Sequence, residues 1–344
     1  MCLKCSIQAI YRKHKNMKEI KTFIGVDISK ATLDICQLDQ QEQHVQIAND
    51  RKAIRKFIAR FKDRENEICI GMENTGRYNI ALLSELASHA FIVYVIAPLH
   101  LAKSLGLARG KTDKIDAGRI AVFTRKNHTE LRPWQPQRAA VTQLQLLLTE
   151  RKRLVSLISE LKASGKELEV FEKSTALKTA FSVNKQLRKV AEKNLQTIQR
   201  AIDELITGDD QLAQQANHIT SVSGVGKILC CYLIVRTNEF RNINEPRKLA
   251  CYAGVVPFEH SSGTSIKGRH RLSYFADKEL KKLLHLSAMS VIRLDGELKD
   301  YYKRKVAEGK NKMSVLNAVR NKLVHRICAV VNQKRNYSPI LEMS

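Results

Sequence analysis

The 344-residue sequence has no run of 18 apolar residues, so no helical membrane span is expected. Its basic N-terminus lacks an apolar core segment and does not read as a secretory signal. Cys2-x-x-Cys5 is half a zinc site without a second half, which argues against a zinc finger. A persuasive pair of phosphate-binding glycine loops is also missing, which argues against an actin-like ATPase despite a strand-Gly-x-Asp opening. Acidic residues are few: 34 Asp and Glu stand against 59 Lys and Arg, a formal net charge of +25. Such an imbalance points to a polyanionic partner, of which nucleic acid is the usual one and a ribosome or membrane surface the plainer alternative.

The excess charge is localised. Residues 262–335 hold 18 Lys and Arg against 6 Asp and Glu, whereas residues 137–217 hold 13 against 10. A basic C-terminal face is what a phosphate backbone selects through counterion release. Of the eight cysteines, several fall in apolar runs, which reads as buried, reduced thiol in a cytosolic protein. Residues 1–20 read as a basic arm, within which Met17 offers an alternative start.

Residues 21–132 read as an α/β domain. Strands are expected at Thr22–Ile28, Thr32–Leu38, His44–Ala48, Ile68–Met72 and Phe91–Ile96, the last ending before Pro98. Helices are expected at Lys52–Phe61, Tyr78–Ala87 and Asp113–Thr124. The order fits a ribonuclease-H-like fold. Pro133-Trp134-Gln135-Pro136 is a boundary. Residues 137–217 then read as two antiparallel helices, with apolar stripes through Leu144, Leu147, Leu154, Ile158 and Leu161 and through Leu187, Val190, Ile198, Ile202 and Leu205. This pair reads as a dimer interface or spacer arm, or else as a solvated bundle. Residues 218–335 form a third, mainly helical segment. It has a Gly224-x-Gly226-Lys227 turn before an apolar helix, a flexible polar loop over residues 260–271, and helices at Asp277–Leu294 and Met313–Val331 flanking a polar stretch. The glycine turn resembles a helix-hairpin-helix element, whose backbone amides grip phosphate, although a plain tight turn has the same letters.

Four carboxylates stand out. Asp27 and Glu73 end strands, and Asp113 and Asp116 lie three apart at a helix start. Any one of them is an ordinary turn or cap residue. Together they are hard oxygen ligands suited to Mg²⁺ or Mn²⁺, and two such ions would activate one oxygen and stabilise a departing one. Ser261, Ser262 and Ser265 stand beside Lys267, Arg269 and Arg271. A positioned serine can attack a phosphodiester while cations neutralise the developing charge, but by composition alone this stretch is a Ser/Gly linker.

Six motifs occur in order: FIGVDISK at 23–30, GMENTGRY at 71–78, GKTDKIDA at 110–117, SVSGVG at 221–226, YAGVVP at 252–257 and SSGTSIKG at 261–268. The set resembles the DEDD insertion-sequence transposases, which include Piv-type DNA invertases and bridge-RNA-guided recombinases. The resemblance runs from about residue 21 to 331. It implies a RuvC-like N-terminal domain, a coiled-coil spacer and a C-terminal transposase domain. Its four acids fall on Asp27, Glu73, Asp113 and Asp116, and its nucleophilic serine on Ser262, with Ser261 as the fallback. It further implies donor and target DNA, a noncoding guide RNA, a homodimer or homotetramer, and action in the cytoplasm at the nucleoid. Nucleic-acid contacts are expected from Lys111, Gly224, Gly226, Lys227, Lys267, Arg269 and Arg271. Two departures stand out: Ser223 replaces the usual proline before the turn, and Ala276-Asp277 and Leu280-Lys281 replace a glycine and a Leu-Arg pair. Lysine there keeps the charge and loses the bidentate fork. Competing readings are a RuvC-type structure-specific nuclease without a covalent serine intermediate and a nonenzymatic nucleic-acid-binding module.

Overall fold

The computed structural model describes residues 20–104, 112–169, 175–262, 266–272 and 276–338. Lys111, Ser265, Cys2, Cys5 and all of the N-terminal arm before Ile20 lie outside these. The chain forms two compact units, Met1–Pro136 and Gln137–Ser344.

The first unit is built on a five-stranded sheet of β1 (Thr22–Ile28), β2 (Thr32–Leu38), β3 (Glu42–Ala48), β4 (Ile68–Glu73) and β5 (Ile92–Ile96), ordered β3-β2-β1-β4-β5. β1, β2 and β3 form an antiparallel meander, while β4 and β5 run parallel to β1. β1 and β4 are buried on both faces, which is why they read as near-continuous apolar runs. β3 is an exposed polar edge. It begins at Glu42, two residues before His44, because its ladder with β2 runs through to the Leu38–Glu42 pair.

Helix α1 (Arg51–Ile58) starts where Asp50 accepts the Ala53 N–H at 2.8 Å. Its Ile54, Phe57 and Ile58 pack with Leu82 and Leu86 of α2 (Ile80–Leu86) in one core cluster of the sheet. α2 begins later than Tyr78 because Gly76–Asn79 form a tight 3₁₀ turn, pinned by Asn79 Nδ2 donating to the Glu73 carbonyl at 2.8 Å. β5 ends at Ile96, before Pro98 as expected, and Pro98 begins α3 (Pro98–Ser104), a position where its missing N–H costs nothing. A second cluster forms where α4 (Asp113–Asn127) packs on β1, β2 and β4 through Ala117, Ile120, Ala121 and Phe123.

The second unit opens with two long helices, α5 (Ala139–Glu169) and α6 (Thr175–Thr207). They run antiparallel: Lys162 pairs with Glu192 at 3.6 Å, and Gly165 faces Asn184. The α5 seam runs through Leu144, Leu147, Arg151, Leu154, Ile158, Leu161 and Gly165, alternating three and four residues apart. The α6 seam runs through Asn184, Arg188, Ala191, Leu195, Ile198, Ile202 and Leu205. Leu187 and Val190, expected in that stripe, are instead 54% and 57% exposed. Ala191 and Leu195 hold the inward positions of the same repeat, so the seam passes beside them.

The remaining elements are α7 (Asp210–Thr220), α8 (Lys227–Thr237), α9 (Pro246–Tyr252), strands β6 (Pro257–Ser262) and β7 (Ile266–Leu272), α10 (Lys278–Val291), α11 (Glu297–Ala307) and α12 (Lys312–Gln333). The segment read as a flexible loop is thus an antiparallel hairpin. The polar stretch after α10 is a helix, α11, which buries Leu298. One continuous core joins α8, α10 and α12 to the roots of the long helices at Val141, Leu144 and Ile202. An ion-pair network closes that end. Arg138 donates to Asp209 at 2.7 Å and to both oxygens of Glu239 at 3.1 Å, and the Glu239 side chain is fully buried.

Candidate active site: four carboxylates and a serine hairpin

The carboxylate site follows from a close approach of backbone to backbone. Gly25 of β1 faces Ala117 and Ala121 of α4, and a Cβ there would collide with their main chain. Glycine therefore lets the helix lie directly on the strand. Two residues further on the same face of β1 comes Asp27. One turn before Ala117 comes Asp113, with Asp116 on the same first turn. Thr112 caps this helix by accepting the Ile115 N–H at 3.3 Å. Glu73 is the last residue of β4, whose parallel register places it beside Asp27, one step past the Val26–Met72 pair.

The four acids feel one another. The Asp27 carboxyl is pushed up from 3.8 to about 6, first by burial and then by the charge of Asp113, with smaller contributions from Asp116 and Glu73. The Ile28 N–H, donating to Asp27 Oδ1 at 3.0 Å, opposes the rise. Asp116 is also held by Arg119 at 2.8 Å. Asp34 lies directly across the ladder from Asp27. Its carboxylate accepts from Gln46 Nε2 at 3.0 and 3.1 Å. Among the described residues the four acids do not close to clasping distance. Only Cys36, Glu42 and His44 bring three ligand atoms within 4.8 Å of one another.

Ser262 ends β6. The register pairs it with Ile266, and pairs Ser261 with Lys267. Arg271 lies opposite Phe258, and Arg269 falls where the ladder is irregular between Phe258 and His260. Both feet of the hairpin are tied together. The Asp277 N–H donates to the Tyr252 carbonyl at 2.9 Å, and Tyr252 Oη donates back to the Asp277 carboxylate at 3.2 Å. Tyr232 Oη donates to the same carboxylate at 2.9 Å, and Arg236 sits 3.2 Å from it. Asp277 also caps α10, accepting the Leu280 N–H at 2.9 Å. Burial pushes the Tyr252 phenol up to about 12, so it stays a donor.

Gly224 takes a positive φ of 82°, and Gly226 caps α8. A Cβ at Gly224 would meet Val291 at 2.6 Å, so this turn packs against α10. Lys227 Nζ is engaged by Asp203 at 2.9 Å in an exposed ion pair. Burial pushes the thiols of Cys36, Cys69 and Cys328 up to about 12, which makes them packing residues at neutral pH.

Comparison with known proteins places these features in one context. A DEDD transposase model of the IS110 type matches residues 24–168, which include Asp27, Glu73, Asp113 and Asp116. A second model, the transposase IS116/IS110/IS902 family, matches residues 216–303, which include Ser262. A pilin gene-inverting protein of Moraxella bovis is 27% identical over 325 residues, covering 92% of this chain and 98% of its own length. A pilin gene-inverting protein of Moraxella lacunata aligns with the same identity and coverage. The uncharacterized 43.6 kDa protein of insertion element IS110 from Streptomyces coelicolor is 35% identical over 98 residues, 28% of this chain and 24% of its own. The chain thus belongs to the IS110-type family of transposases and Piv-like invertases, and it is a DNA-recombining enzyme.

Proposed function

We propose that this protein is the recombinase of an insertion sequence, cutting and rejoining DNA with metal-bound carboxylates and a serine nucleophile under the direction of a noncoding RNA. The observation that carries this reading is that Asp27, Glu73, Asp113 and Asp116 lie near enough to interact: Asp27 is raised to about 6, first by burial and then by repulsion from Asp113, with smaller repulsion from Asp116 and Glu73. A divalent cation relieves that repulsion, and an all-oxygen donor set suits Mg²⁺ or Mn²⁺. The β3-β2-β1-β4-β5 order, with its antiparallel meander and parallel β4 and β5, supports a ribonuclease-H-like or RuvC-like assignment for the first unit. When bound, the metal would polarise the phosphodiester and its leaving oxygen.

In the proposed step, Ser262 Oγ gives up its proton and forms a bond to phosphorus. The strand's leaving oxygen departs and takes up a proton, and the phosphate stays as a serine ester. Attack by a hydroxyl of the incoming strand reverses the step and frees the serine. Lys267, Arg269 and Arg271 on β7 supply positive charge to the phosphate, and the family's DNA substrate accounts for the basic second unit. The exposed Val183, Leu187 and Val190, spaced by four and three along α6, offer a face for a second copy in a dimer or tetramer. Acting on DNA places the enzyme in the cytoplasm with the nucleoid.

The test is strand transfer on a native element end with flank-encoded RNA, comparing wild type with Ser262→Ala, Ser261→Ala and Asp27→Asn. Loss with Ser262→Ala and Asp27→Asn, together with a phosphoserine–DNA adduct in wild type, supports the reading. Retained cleavage with both serine variants points instead to a structure-specific Mg²⁺ nuclease. Sequencing the RNA that copurifies with the protein tests guidance: a discrete flank-encoded species supports it, and random cellular RNA removes it.

A further inference from the structure

The second unit contains a buried cation with no counter-charge among the described residues. Arg320 of α12 is only 6% exposed. Its Nη1 donates to Asn317 Oδ1 at 3.4 Å and its Nη2 to His285 Nδ1 at 3.0 Å, while its Nε, also buried, has no partner. No carboxylate pairs with it among the described residues. Its neighbours are basic. Lys281 and His285 of α10 are both held below their usual values by burial and then by the charge of Arg320. The acids at the start of α10 are engaged elsewhere: Asp277 by Arg236 and two tyrosines, Glu279 by Lys152 and Lys282.

A guanidinium cannot shed its proton in a protein, so burial without an anion is costly. A fold that keeps such a group needs an anion to complete it. The position of the group indicates which anion. Asn317, bonded to Arg320, donates Nδ2 to the Val255 carbonyl at 2.8 Å, two residues before β6. On the other side, Lys281 Cδ comes within 3.8 Å of where a Gly254 Cβ would lie. The cluster therefore sits at the foot of the β6–β7 hairpin.

We propose that Arg320, with Lys281 and His285, receives one backbone phosphate of the DNA strand held along the β6–β7 hairpin. This rests on the DNA-recombinase reading. The phosphate is a flanking one, not the scissile one: at about 3.3 Å per residue, the five steps from Pro257 to Ser262 span roughly 17 Å. Arg320 is thus a positioning residue that sets where the strand lies relative to the serine.

The test is binding of full-length protein to a short duplex of arbitrary sequence. Chelator is present so that no strand is cut and a failure of the recombination chemistry cannot mimic a failure of binding. Arg320→Met is expected to weaken binding about tenfold at fixed salt and to lower the slope of log affinity against log salt by about one. It is also expected to fold with an equal or higher thermal midpoint, since an apolar side chain replaces an unpaired buried charge. Arg320→Lys should fall in between. Inorganic phosphate should raise the midpoint of wild type and leave that of Arg320→Met unchanged. Wild-type affinity and salt slope in Arg320→Met overturn the proposal, as does a loss confined to RNA with duplex DNA binding intact. If Arg320→Met does not fold, the other two measurements decide: wild-type affinity in Arg320→Lys with no effect of phosphate on wild type also overturns it.

Discussion

Replacing Asp27 by asparagine should stabilise the metal-free protein while removing its activity. Unfolded, Asp27 titrates near 3.8; folded, near 6. Below about pH 4 both states hold the proton, and Asp27 contributes no difference. Between these values the folded state binds the proton and the unfolded state does not, so stability declines as pH rises. Above about 6 the full cost is present. At about 1.4 kcal/mol per unit, the difference comes to ~3 kcal/mol, and solvent screening of a half-buried carboxyl lowers this to about 1–2 kcal/mol. Asparagine keeps an oxygen to accept the Ile28 N–H, so little else is lost. Thermal or urea unfolding of Asp27→Asn and wild type in chelator should then show the variant more stable by about 1–2 kcal/mol at pH 7.5. The gap should close as pH falls toward 4. Added Mg²⁺ should raise the midpoint of wild type more than that of the variant. A variant less stable than wild type at pH 7.5, or a gap that does not change with pH, would refute the account of Asp27 as a carboxylate raised by burial and by its neighbours' charge.

Gly25→Ala should destabilise the first unit by about 3 kcal/mol or more, because the new methyl meets the backbone of α4 and the helix must move off the strand. Urea unfolding measures this, and strand transfer should fall even where the protein folds, since Asp113 and Asp116 shift with the helix. Arg138→Ala should cost about 2–3 kcal/mol by removing the charged hydrogen bonds to Asp209 and Glu239, leaving the buried Glu239 with Arg241 as its remaining cation at 3.2 Å, whereas Arg138→Met combined with Glu239→Gln should recover part of that in the same assay. Leu187→Lys should lower the solution mass measured by light scattering without moving the thermal midpoint, because Leu187 is exposed within the protomer; an unchanged mass removes the α6 face as the contact between copies.

Short-range pattern carried a large part of this structure. The first two strands lie where alternation and apolar runs indicate them, because β1 and β2 face a core on nearly every inward position. The placement of Asp27, Glu73, Asp113 and Asp116 near the ends of β1 and β4 and in the first turn of α4 was legible because the period of each element is local. Where the energetic reason was nonlocal, reading along the chain went astray. Leu187 and Val190 have the right spacing for a seam, but which of two parallel stripes turns inward depends on the partner helix. The β6–β7 hairpin is written in serine, glycine and basic residues, which satisfy a strand ladder without advertising it.

By itself, then, the sequence determined the α/β start, the two long helices and the basic C-terminal half, since each is a periodicity or a composition that burial and solvation act on directly. Tertiary structure alone decided that Asp27 lies across from Asp34 and beneath the start of α4. It also joined Arg138 to Glu239 across the fold, and left Arg320 buried beside two other basic groups with no anion among the described residues. A lone charged residue in a sequence looks solvated. Only the packing of elements distant in the chain decides whether it is stripped of water, and therefore whether it must find a partner.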